Sequence, residues 1–451
     1  MSMYKNFKNI KELTIDFANF REHLKPHRFV RNVATMLAGN ASAQAITFAA
    51  TLIITRLYTP EDFGMMTLIS SIIIVLSVMS CFSYENAIVL PKEDNKAQNV
   101  FALSLLITAT FSIFLLFVVL FLGESIANLV NKPGVITYLW FIPAGVFVYG
   151  CWQSLAFWQT RAKRFNLLSA SQIVNSIAMA SPRILAGLII GSSAFWLITG
   201  NILGPLSVVI LLGVVFLKEH LPGFKRNVSK KEIFRVAKEF KKFPRYNVWS
   251  NLLSALSQNL PVFLFAYYFS QEIVGFYGLA SAVLRKPAYL MGQSVSKVFL
   301  QKAAETQANG QNLRDHLTKV TTGLAAIGII PFGILAVGGS WIFSIVFGQQ
   351  WATAGLYAQF LAPWLFLGCI NPPSTQIILV KQKLRFKLYF ETGYILLRVL
   401  AIVIGYHLSP QPWVAIALFS ATGVLANIYY IVFAFSLTRE AKKTDSTIYQ
   451  I

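Results

Sequence analysis

The chain has 451 residues, 55% of them hydrophobic and only 13% charged, with a formal net charge of +21. A soluble domain carries about twice that charged fraction, and the basic residues here sit in short segments between long apolar runs. The composition therefore excludes an ordinary soluble domain, and the charge does not mark a nucleic-acid partner; the pattern is that of a protein crossing a membrane many times.

In chain order, residues 1–31 are expected to form a basic cytoplasmic head, and they show no cleavable signal pattern. In it Ile10, Leu13, Phe17, Phe20 and Leu24 recur at intervals of three and four, which predicts a short amphipathic helix on the membrane surface. A basic tail without fixed structure is the alternative. Apolar runs of membrane length follow at 33–56, 63–84, 98–122, 135–158, 166–190, 194–217, 244–269, 275–298, 318–339, 352–379, 388–408 and 412–437. Backbone groups in lipid must be satisfied within the segment, so these runs are predicted to be helices.

The fold class that follows is an all-α integral membrane protein. It has 12 transmembrane helices in two six-helix bundles, 32–217 and 246–437, joined by a basic cytoplasmic linker, 218–245, and ended by a tail, 438–451. Nearly all of the 39 Lys and Arg residues fall in the head, the tail and one alternating set of loops; the opposite loops hold Arg56 and Lys132. That asymmetry places both termini in the cytoplasm.

The halves repeat. TPEDFGMMTLIS (59–70) matches SQEIVGFYGLAS (270–281), and RILAGLIIG (183–191) matches RVLAIVIG (398–405). These pairs fall in corresponding spans and imply a pseudo-two-fold axis along the membrane normal, as in other transporters built of parallel repeats.

The chain shows no nucleotide-binding, zinc-protease, serine-hydrolase or dinucleotide pattern, so catalysis is not expected. Cys81, Cys151 and Cys369 lie within apolar spans, which argues against disulfides and a zinc site. No metal or other cofactor is expected, apart from a coupling ion, H+ or Na+.

Charges at bilayer depth are costly and usually face a cavity or a partner. Arg183 and Arg398 are placed roughly 11 Å inside the outer face by the helical rise, and Arg285 lies near the midplane beside Lys286. No acid lies equally deep. Glu85 and Glu391 are at inner helix ends, and Glu61 and Asp62 are outside. A cavity with unpaired guanidinium groups favours an anion, and the planar fork suits phosphate. Each Arg could instead bond helix-end carbonyls. Asn40, Gln44, Asn175, Asn201, Gln258, Asn259 and Gln293 could bond sugar hydroxyls, although amides more often join helices.

Three stretches carry a resemblance to a known family. TRLYTPEDFGMMTLISSI (55–72) with SYENAIVLPKEDNKAQN (83–99), GFYGLASAVLRKPAYLMGQSVSKVF (275–299) and FGQQWATAGLYAQFLAPWLF (347–366) resemble the Wzx-like oligosaccharide flippases of polysaccharide biosynthesis. These belong to the superfamily that also holds the MATE exporters and MurJ-like proteins.

The resemblance implies movement of an undecaprenyl-pyrophosphate-linked oligosaccharide (O-antigen, capsule or exopolysaccharide) from the cytoplasmic to the periplasmic leaflet of a bacterial inner membrane. Alternating access driven by an ion gradient is the expected mechanism. The candidate substrate-binding residues are Arg56, Arg183, Arg285, Lys286 and Arg398, and the coupling candidates are Glu85 and Glu391. Spans 1 and 8 are the family's usual gate flank, which puts Arg56 and Arg285 near the path. Membrane lipids, a glycan polymerase and glycosyltransferases are the expected neighbours. The main alternative is a MATE-type exporter of small molecules, which would place a carboxylate deep in one half. A lipid II flippase would have fourteen spans, and a glycan polymerase or ligase would need a large outer loop.

Overall fold

A computed structural model describes residues 26–129, 133–308, 312–381 and 383–439. Among the described residues the regular structure is helical. The long helices are α1 (Pro26–Leu57), α2 (Pro60–Ser80), α3 (Asp94–Leu129), α4 (Phe141–Arg161), α5 (Phe165–Ile189), α6 (Ala194–Asn227), α7 (Val248–Tyr268), α8 (Gln271–Ala308), α9 (Leu313–Phe347), α10 (Ala352–Ile370), α11 (Leu384–Leu408) and α12 (Pro412–Arg439). A short linker helix, Lys230–Glu239, lies between α6 and α7, and α10 breaks at Asn371 before a continuation, Pro372–Val380.

Local chemistry sets these boundaries. Thr59 caps α2 by accepting from the Asp62 backbone N–H, while Asp62 reaches back to the Thr59 backbone, and Pro60 opens the first turn. The helix ends where Phe82 and Ser83 take left-handed backbone angles (φ 48° and 60°), which start the 3-10 turn Tyr84–Val89. At Asn371, the pair Pro372–Pro373 removes two backbone donors and interrupts the helix.

Ten of the described helices are long and apolar enough to cross a membrane, against the twelve spans expected. The ten do not include α7, whose Ser, Asn and Gln residues dilute its apolar content, or α8, whose side chains at 286–294 lie outside the described residues. Helices α6 and α8 run about ten residues past the predicted span ends, because helical hydrogen bonding continues after the apolar run stops. Most of the expected 218–245 linker is consequently helical. Helix α1 begins inside the expected head. The proposed amphipathic stretch in 1–25, Lys132 and residues 440–451 of the tail lie outside the described residues.

Helices α1–α6 pack as one lobe and α7–α12 as another. The apolar core is divided unequally between the two ends. One cluster is shared, joining Ile54, Tyr58 and Phe63 of the first lobe to Phe265, Phe276 and Trp351 of the second. Two further clusters stay separate. Tyr84, Phe101, Trp158 and Val236 belong to the first lobe with its linker helix, and Phe299, Leu317, Ile377 and Tyr430 belong to the second. The lobes therefore meet at the end with the short loops and part toward the end with the basic loops.

The repeated sequences meet at this joint. A Cβ on Gly64 would lie 1.9 Å from the Gln271 carbonyl oxygen, and a Cβ on Gly275 would lie 1.9 Å from the Pro60 carbonyl oxygen. Gly64 and Gly275 occupy the same place in the two repeats, as do Pro60 and Gln271. The contact is thus reciprocal, as a local two-fold axis between α2 and α8 requires, and only glycine permits so close an approach.

Candidate functional site

The predicted arginines separate into three environments. Arg183, on α5, is buried. Its Nε and Nη2 donate to the Leu197 carbonyl at 3.1 and 2.9 Å, and Nη2 also donates to Asn201 Oδ1 at 2.5 Å. Asn201 in turn donates to Ser70 Oγ at 2.7 Å. Gly200 makes room for the guanidinium, since a Cβ there would lie 2.5 Å from Arg183 Nε. These bonds tie α5, α6 and α2 together, and Nε and Nη2 are engaged within the lobe.

Arg56 lies at the outer joint. It is exposed in the last turn of α1, donating to the Leu52 carbonyl at 2.7 Å and across the lobes to the Ile345 carbonyl at 3.4 Å. Beside it, Gln350 Nε2 donates to the Thr55 and Tyr58 carbonyls at 2.7 and 3.2 Å, and Trp351 Nε1 donates to the Thr55 carbonyl at 2.8 Å. Carbonyls at a helix C-terminus lack partners within the helix, and those of α1 receive donors from the opposite lobe. Phe63 and Phe276 press edge-on against the fully buried Trp351 ring. The stretches at 55–64, 275–278 and 347–351, noted in the sequence as family signatures, thus form one clasp between the lobes.

Arg285 and Arg398 come together in the second lobe. The Arg398 guanidinium carbon is 5.0 Å from the Trp364 ring centroid and that of Arg285 is 5.4 Å from the same ring, so the two charges are at most about 10 Å apart. Arg398 also lies over Tyr394 at 4.2 Å and Phe419 at 5.1 Å, and it donates to the Ser257 carbonyl at 3.2 Å. Arg285, half-buried, donates to Tyr277 Oη at 3.2 Å and more loosely to the Gln258 carbonyl at 3.4 Å. Gly423 lets the indole sit against α12, because a Cβ there would lie 2.2 Å from Trp364.

Neither Arg285 nor Arg398 has a carboxylate partner among the described residues, and the buried Arg398 Nε has no acceptor. Two cations over one ring, one with an unused donor, form a site of excess positive charge that suits an anion. Lys286 follows Arg285 on α8, but its side chain lies outside the described residues, as does that of Gln293.

The two coupling candidates differ sharply in their surroundings. Glu85 lies in the 3-10 turn after α2, outside the membrane-spanning helices, and is buried. Its Oε1 accepts from Asn86 Nδ2 at 3.0 Å, while Oε2 is buried without a partner. Burial pushes its carboxyl up to about 7. Glu391 is exposed on α11. Among the described residues, Glu85, Arg183 and Arg398 are the buried charged side chains.

The amides also divide. Asn201 is a helix-joining group, and Asn259 bonds its own helix through the Ala255 carbonyl. Gln258 is exposed on α7, with Nε2 donating to Ser254 Oγ at 3.2 Å. The sequence reading missed the aromatic floor of the arginine pair, Trp364, Tyr394 and Phe419. No local signal marks it, because its rings come from three separate helices.

A family model described as "Polysaccharide biosynthesis protein" matches residues 53–355. The teichuronic acid biosynthesis protein TuaB of Bacillus subtilis (strain 168) is 22% identical over 285 residues, which is 63% of this chain and 57% of TuaB. The chain thus spans little more than half of that relative. The lipopolysaccharide biosynthesis protein WzxC of Escherichia coli (strain K12) is 22% identical over 367 residues, 78% of this chain and 70% of WzxC.

Among solved structures, an inward-facing multidrug resistance MATE transporter of the MOP superfamily aligns with a TM-score of 0.72 at 12% identity, covering 92% of this chain and 99% of that one. The lipid II flippase MurJ in an inward closed conformation aligns with a TM-score of 0.65 at 13% identity, covering 90% of each chain. These structures share the two-lobe fold. With the family match spanning more than half of its length, the chain belongs to the polysaccharide biosynthesis protein family.

Proposed function

We propose that this chain is a flippase for an undecaprenyl-pyrophosphate-linked oligosaccharide repeat unit, destined for O-antigen, capsule or exopolysaccharide. It works by alternating access in a bacterial inner membrane, with both termini cytoplasmic. The observation that carries this reading is the pair Arg285 and Arg398 over Trp364, without a carboxylate partner among the described residues. A pyrophosphate supplies the missing negative charge, and guanidinium groups can bind it bidentately.

The separated clusters at the basic-loop end support a cavity open to the cytoplasmic leaflet, with the clasp closing the other side. A buried carboxyl with a raised proton affinity makes Glu85 the candidate for proton coupling. The deep positive charge favours this reading over an exporter of organic cations.

The test compares a deletion strain complemented with the wild-type chain or with Arg285→Ala at matched membrane levels, reading which leaflet holds the lipid-linked oligosaccharide. The expected result is cytoplasmic-leaflet accumulation in the deletion, relieved by wild type and not by the variant. An unchanged distribution in the deletion would overturn the reading for that substrate.

A further inference from the structure

The first half of helix α7 is exposed around more than half of its circumference, and the exposed residues divide by polarity. Trp249, Leu253 and Leu256 form an apolar face, with Trp249 59% and Leu253 56% exposed. Asn251, Ser254 and Gln258 are also exposed. At 100° per residue they lie roughly 165° around the helix from the apolar set. Val248, Val262 and Phe265 are buried, the last two in the core shared between the lobes. An apolar face in a membrane helix suits lipid, whereas Gln258, ten residues into α7 and so about 15 Å from its start, needs a partner or a water-filled cavity, and the polar face leads to it from the membrane surface.

We infer that the face of α7 formed by Asn251, Ser254 and Gln258 binds the hydroxyl groups of a saccharide, which rests on the reading of the cargo as a lipid-linked sugar. Asn251 makes no side-chain hydrogen bond among the described residues, and Gln258 bonds only its neighbour Ser254. Each amide offers donors and an acceptor, which matches hydroxyl groups that both give and take hydrogen bonds. Residues 248–268 contain no charged side chain, so the face suits a neutral ligand rather than an ion. The stripe ends at the arginine pair, where the Gln258 carbonyl accepts from Arg285. An amphiphile held here has its chain on the apolar face, its sugars on the polar face and its phosphates at the arginines.

The test uses the full chain in lipid nanodiscs and two probes, undecaprenyl-pyrophosphoryl-N-acetylglucosamine and undecaprenyl pyrophosphate. The double variant Asn251→Ala/Gln258→Ala is expected to weaken binding of the sugar-bearing lipid by about tenfold and to leave the sugar-free lipid unchanged. Equal weakening of both lipids, or of neither, would overturn the inference. Arg285→Gln separates the two readings. It weakens both lipids if the arginines hold the pyrophosphate; if it weakens neither while the α7 variant still discriminates, the arginine site fails and the saccharide face stands. In a second measurement, maleimide labelling of Asn251→Cys is expected to be blocked by the sugar-bearing lipid and not by the sugar-free one. The native Cys81, Cys151 and Cys369 are buried and give a low background.

Discussion

Arg183 and Arg398 occupy the same place in the two repeats, yet their surroundings differ. In the first lobe the guanidinium is held by the Leu197 carbonyl and Asn201 Oδ1. In the second, Arg398 lies among three rings, donates to the Ser257 carbonyl and keeps its buried Nε unpaired, beside a second arginine. The repeat that gives the second lobe Arg285 gives the first lobe Ile74. The same residue type is therefore held by two polar groups of a neighbouring helix in one lobe and mainly by rings, with one donor unpaired, in the other, and the neighbours decide which.

Variants that break this contrast come first. Arg183→Leu removes bonds to a charged donor and leaves Asn201 short of a partner, and is expected to cost about 3 kcal/mol of stability. Arg398→Leu is expected to change stability less and to lower transport about tenfold or more. Thermal unfolding in detergent, paired with transport per folded molecule, separates the two. If Arg398→Leu lost stability and kept transport, the contrast would collapse.

Glu85 gives a test with a definite sign. Its carboxyl is raised from 4.5 to about 7 in the folded protein, so the native state holds a proton that the unfolded state releases between those values. Stability therefore falls as pH rises through that window and levels off above it, by at most about 3 kcal/mol. Glu85→Gln is expected to flatten the profile. A profile that kept its slope in Glu85→Gln would assign the titration to another group.

The smallest effect sharpens the contrast. Trp364→Leu removes the ring beneath both guanidinium groups, and is expected to weaken binding of undecaprenyl pyrophosphate about fivefold, in line with a cation–π contribution of about 1 kcal/mol. No change would leave the arginines acting without the ring.

Apolar run length made most helices legible in the sequence, and the repeats implied a two-fold relation between the halves but not that the repeated stretches meet at Gly64 and Gly275. Hydropathy misjudged the ends of α6 and α8 because it follows the bilayer rather than backbone hydrogen bonding. The clasp was not legible, since Thr55 and Trp351 are far apart in the chain and meet only after the lobes pack. The bracing of Arg183 was hidden for the same reason: its partner Asn201 lies on another helix. The stripe on α7 was readable by its spacing of three and four, but single amides in a membrane helix usually mean helix contact.

The polarity of α7 has a consequence for biogenesis. A helix carrying Asn251, Gln258 and Asn259 partitions into lipid less readily than its apolar neighbours when it emerges from the ribosome. The basic segment before it holds its start at the membrane surface, and α8 follows after a short turn. Stable entry of α7 is therefore expected to depend on arrival of its successor, and a chain truncated after α7 is expected to integrate less well than one truncated after α8.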